Sequence, residues 1–138
     1  LSIADAHELS ALRAVSSPHW AQDWAVLKQL PFAALYSVND WPTMVRWVAS
    51  EKADVLMAPM VAGDPGKISV EDVTLVPVTG VRIALPGSRH FGFSARSTMS
   101  ACFDQGLQQL QRQVIVRKAY EDAGFWRTDF MQWPIVLP

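Results

Sequence analysis

Three apolar runs, at residues 12–15, 32–38 and 53–58, constrain this chain more than any other feature. They are separated by two stretches in which apolar residues recur at helical spacing. In the first, over about 19–30, Trp20, Trp24, Leu27 and Leu30 fall on one face, as an amphipathic helix requires. In the second, over about 41–51, Met44, Val45, Trp47 and Val48 do the same. Pro18 suits the first turn of the first helix and Pro31 ends it. Asn39 and Asp40 stand where the second helix needs caps, with Pro42 in its first turn. The third apolar run is nearly continuous, as expected of a strand covered on both faces. Strand, helix, strand, helix, strand with short links predicts a parallel α/β unit with right-handed crossovers.

The 138 residues suit one domain of ordinary size, and half of them are hydrophobic. The balance of 12 basic and 13 acidic residues argues against a nucleic-acid or anionic-membrane surface. No apolar run approaches the roughly 20 residues of a membrane span. The chain starts at Leu1 rather than Met and contains no signal peptide, so a processed or excised piece of something longer is expected. Cys102 is the single cysteine, read as a small buried residue, and no metal site is expected. Met44, Met57, Met60 and Met99 read as core filling. Trp20, Trp41 and Trp126 sit where a cleft or interface could use them.

Around the parallel unit the pattern is looser. Residues 2–12 form an entry segment in which Ile3 and Leu9 can pack and Asp5 can cap a short turn. Gly63, Pro65 and Gly66 make 61–67 a loop. Extended runs at 74–78 and 81–85 are broken at Thr79-Gly80, and Pro77 marks the first as an edge. Helices are expected over 96–111, with Met99, Phe103, Leu107, Leu110 and Val114 on one side, and over 115–123, stopped by Gly124. The tail from Trp126 has no clear period.

This order of elements resembles the type II periplasmic solute-binding proteins, of the extracellular family 3 kind that serve ABC transporters. Four pieces carry the likeness: Val15-Ser16-Ser17-Pro18-His19, the helix-to-strand stretch 44–56, Val81-Arg82-Ile83-Ala84-Leu85-Pro86-Gly87-Ser88-Arg89, and 103–110 followed by 115–125. The resemblance spans about residues 9–125. It implies an α/β fold, with 1–73 as the three-layer parallel-sheet second lobe, 74–94 as hinge and return strands, and 95–138 as C-terminal helices and tail. Those helices would pack on a first lobe that is largely absent. It also implies a small polar or anionic solute, a membrane transporter or signalling partner, and a periplasmic location. The family's amino-acid binders carry an acid just past the third strand, where Pro59 stands here, so an amino-acid ligand is not implied.

The candidate site follows from the parallel unit, because ligands in open α/β sheets bind beyond the carboxyl ends of the strands. Ser16, Ser17, His19, Asn39 and Pro59 gather at that edge on this reading. Ser17 and Asp40 can equally be helix caps, and His19 a solvated surface residue. Arg82, Arg89 and His90 form a basic cluster that is either a solvated turn or an anion contact. Asp54 is expected to face solvent or cap the preceding turn. No Gly-x-Ser-x-Gly, His-Glu-x-x-His or phosphate-loop motif is present, so neither an enzyme nor a cofactor is expected. A second reading is an association domain, in which the apolar faces of the two C-terminal helices form an interface, including a homodimer by helix exchange.

Overall fold

The protein is described as a computed structural model covering residues 2–58, 66–86 and 91–136. The N-terminal half contains β1 (Arg13–Ser16), α1 (Ala21–Leu27), β2 (Ala34–Ser37), α2 (Trp41–Ala49) and β3 (Val55–Leu56). The three strands form one sheet in the order β2-β1-β3, and both pairings are parallel. The protein is thus a mixed α/β fold, with β1 at the centre of its principal sheet.

Side chains alternate across a sheet, and the register sorts them here. Val15 pairs with Tyr36 and Leu56, and these three pack with Met44, Trp47 and Val48 of α2. On the other face Leu12 and Leu35 pack with Val26 and Leu27 of α1 and with Leu30. The helices therefore lie on opposite faces of the sheet. Crossovers of one hand produce this when the chain steps first to one side of β1 and then to the other.

The local signals in this half act at different strengths. Asp40 caps α2 as expected, accepting from the Thr43 N–H at 2.9 Å, and Pro42 lies in the first turn. α1 is shorter than its apolar period suggests. The Trp20 N–H donates to the Ser17 carbonyl at 3.0 Å, closing a turn with Pro18 at its second position. Pro18 thus precedes the helix instead of opening it, and Ser17 is not the N-cap; Trp20 is, without a side-chain cap bond.

The sequence reading of Asp54 also needs correction. Its carboxylate accepts from the Arg13 backbone N–H at 2.7 Å, from Nε at 2.9 Å and from Nη2 at 2.8 Å. The Asp54 N–H returns a bond to the Arg13 carbonyl at 2.8 Å. Arg13 Nη2 also donates to the Glu51 carbonyl at 2.7 Å, tying in the start of the α2–β3 link. Asp54 therefore holds β3 onto β1 at the N-terminal edge of the sheet.

Beyond β3, the strands β4 (Ile68–Val70) and β5 (Val73–Leu75) form an antiparallel hairpin. The sequence pattern did not anticipate β4. β6 (Arg82–Ile83) pairs in parallel with β7 (Ile135–Val136), so the C-terminal tail returns to the body and buries Phe130 and Val136. The entry segment is fixed where the Ile3 N–H donates to the Thr79 carbonyl at 2.8 Å. Asp5 caps its 3-10 turn, and Ile3 and Leu9 are core residues.

The remaining helices, α3 (Ser100–Arg112) and α4 (Ile115–Asp122), form a hairpin through Val114, whose φ is +62°. Neither helix contains a buried residue. Cys102 is exposed, and Met99 is 67% exposed, so neither fills a core. Phe103 is instead flanked by Phe91 and Phe93, with ring centroids 4.7 and 5.2 Å away. An apolar period establishes a helix and its apolar face, but not whether anything covers that face.

Two predictions follow from these contacts. Arg13, through its side-chain and then its backbone hydrogen bond, lowers the Asp54 pKa from 3.8 to about 2. A folded-state pKa below the unfolded one gives stability that is complete above about pH 4 and lost as pH falls through about 2. For this partly exposed pair the expected loss is on the order of 1–2 kcal/mol. Urea unfolding of wild type and Asp54→Asn across that window should show a shallower acid slope for the variant. Gly80 has a φ of +103°, and a Cβ there would collide with the Ile3 carbonyl oxygen. Gly80→Ala should cost about 2–4 kcal/mol in the same assay.

Candidate functional site

The C-terminal edge of the parallel sheet gathers four of the sequence candidates. β1 ends at Ser16, which pairs with Ser37 at the end of β2. Ser17 and His19 occupy the turn into α1, and Asn39 follows Val38 on the way into α2. Ser37, exposed beside Ser16, belongs to this edge and was not singled out by sequence, because a lone serine ending an apolar run carries no signal. Pro59 and Arg89 lie outside the described residues, as do Met60 and His90.

The two adjacent serines behave differently. Ser17 is buried, and its Oγ accepts from the His19 N–H at 3.2 Å, a local bond that stabilises the turn. Ser16 is completely buried, and its Oγ has no hydrogen-bond partner among the described residues. Its backbone is satisfied by contrast, the carbonyl accepting from the Val38 N–H at 3.0 Å. A buried hydroxyl without a partner is uncommon and costs stability. His19 and Asn39 are exposed.

Electrostatics narrow what this edge can accept. Asp40 keeps its carboxylate against the first turn of α2, its pKa lowered by hydrogen bonds from the Thr43 side chain and backbone. Asp23 stands in the first turn of α1. Both helix starts, where the partial positive charge lies, thus already carry a carboxylate. The edge suits a neutral polar or hydroxyl-bearing group better than a bare anion.

Arg82 does not belong to this edge. Its Nε donates to the Trp133 carbonyl at 3.0 Å and its Nη1 to the Met131 sulfur at 2.8 Å. It thereby fastens the tail to β6, so Arg82 itself is not a solvated turn residue. It also lines a cavity of about 410 Å³, together with β3 residues, Phe130 and Trp133. Ser16, Ser17, His19 and Asn39 do not line that cavity.

No cluster of three or more His, Cys, Asp or Glu side chains able to hold a metal occurs among the described residues. Among the same residues, no helix is long and apolar enough to cross a membrane. Searches against family models, curated proteins and solved structures found no match to this chain.

If the Ser16 hydroxyl is unsatisfied in the free protein, Ser16→Ala should stabilise it by about 1 kcal/mol. Urea unfolding without added solute measures this directly. A loss of comparable size would show that the hydroxyl is already bonded.

Proposed function

We propose that this chain is the ligand-contacting α/β lobe of a solute-binding module of the type II periplasmic kind, binding a small polar solute at the C-terminal edge of its parallel sheet. The observation that carries the reading is the fully buried Ser16 hydroxyl at the end of the central strand, without a partner among the described residues. The β2-β1-β3 order supports it, since a ligand crevice forms where successive crossovers leave a strand in opposite directions. The three-layer lobe and the hinge at 74–94 belong to this proposal, as do closure against a second lobe and a transporter or signalling partner at a periplasmic location. Binding without catalysis is part of it too.

A second reading is association through α3 and α4. It is favoured by one observation, that neither helix buries a residue while Leu110, Val114, Ile115 and Tyr120 are all more than 40% exposed. Exposed apolar surface of this kind marks interfaces.

A thermal-shift screen of neutral polar solutes, amino acids and carboxylates separates the readings. A ligand at 100 times its Kd adds about 2.7 kcal/mol. The solute-binding reading expects stabilisation by a polar solute in wild type and its loss in Ser16→Ala. No stabilisation, together with a dimer by size-exclusion chromatography and light scattering, favours association.

A further inference from the structure

The cavity beside β3 is a second place that the fold leaves unfilled, and its chemistry differs from that of the sheet edge. Protein interiors pack nearly as densely as organic crystals, and voids larger than a water molecule are few. A volume of about 410 Å³ falls instead in the range of small-molecule pockets, about 300–1,000 Å³. The wall is overwhelmingly apolar, with Leu12, Leu27, Met57, Val78, Ile83 and Phe130 representing every layer that meets there. Water gains little in such a space, because it finds too few polar partners.

Only two charged residues reach the wall among those described, Asp54 and Arg82. Asp54 is satisfied by its three bonds from Arg13. Arg82 is not matched in this way. Its guanidinium and Nε offer five N–H donors, yet its bonds reach only one carbonyl and one thioether. Thioether sulfur is a weak acceptor. No carboxylate among the described residues pairs with Arg82. The cavity therefore combines an apolar body with one half-buried cation whose best acceptor is missing.

We propose that this cavity binds an apolar-bodied monocarboxylate such as a medium-chain fatty acid, with the carboxylate on Arg82 and the chain among Leu12, Met57, Val78 and Phe130. An Arg–carboxylate pair is charge-assisted and two-pronged, which the thioether contact is not. This site is independent of the polar-solute site at the sheet edge.

The test is titration calorimetry with decanoate and decanol, both below their aggregation limits. Wild type should bind decanoate saturably at one site and decanol about tenfold more weakly or less. Arg82→Lys, which keeps the charge but not the fork, should weaken decanoate several-fold and leave decanol unchanged. Val78→Phe should abolish binding of both by filling the cavity, with circular dichroism confirming the fold. Ala58→Leu is the smaller filling change should Val78→Phe fail to fold. The proposal is overturned if wild type does not bind decanoate saturably, if acid and alcohol bind equally, or if a folded cavity-filling variant binds as well as wild type. Ser16→Ala should leave decanoate binding unchanged, so failure here is distinguishable from failure of the polar-solute reading.

Discussion

The hydrogen-bonded ion pair between Arg13 and Asp54 is the contact on which the parallel sheet depends. β3 has only two residues in the ladder with β1, too few to define register strongly by backbone pairing alone. The two side chains and their two backbones together add a ring of bonds immediately before that ladder starts. A slip of one residue would break all of them and turn Val55 and Leu56 to the wrong faces. The pair is partly exposed, so its Coulomb energy is modest. Its larger contribution is geometric: it sets the register in which Leu56 meets α2.

That geometry divides the small protein into a well-satisfied end and an unsatisfied one. At the N-terminal edge of the sheet the polar groups of Arg13 and Asp54 are paired. At the C-terminal edge Ser16 is buried without a partner among the described residues, and beside β3 the core leaves an open cavity instead of closing on itself. A domain whose net stability is a small difference between large terms bears such defects at a cost. Unfavourable features of this kind concentrate where a protein meets a ligand. The α3–α4 hairpin adds a third unsatisfied element, because neither helix buries a residue and, among the described residues, Leu110, Val114, Ile115 and Tyr120 stay exposed.

Much of the parallel unit was legible from the residues. The period of the second helix, the Asp40 cap and the Pro42 signal act within a few positions of one another, so they survive folding unchanged. The end of β1 and the start of α1 were less legible, since Pro18 fits both the first turn of a helix and the second position of a β-turn. The Ser17 carbonyl decided for the turn. β4 was missed because three residues, Ile68-Ser69-Val70, are too short for a period. Its turn to β5 also runs through Glu71 at a φ of +53°, without the glycine or asparagine that usually signals a left-handed residue. The cavity has no signature in sequence at all, because its wall is assembled from residues spread between Ile3 and Trp133.

From the sequence alone came the α/β class, the order of the parallel elements and the gathering of Ser16, Ser17, His19 and Asn39 at one edge. These depend on local periodicity and on the rule that parallel strands end on the same side. Only the tertiary structure decided that Ser17 is used by its own turn while Ser16 has no partner among the described residues, since a hydroxyl's satisfaction depends on atoms distant in the chain. It alone joined Arg13 to Asp54 across 41 residues and Arg82 to Met131 and Trp133 across about 50. Such pairings cannot be read from spacing, because each charged residue has several plausible partners and packing selects one.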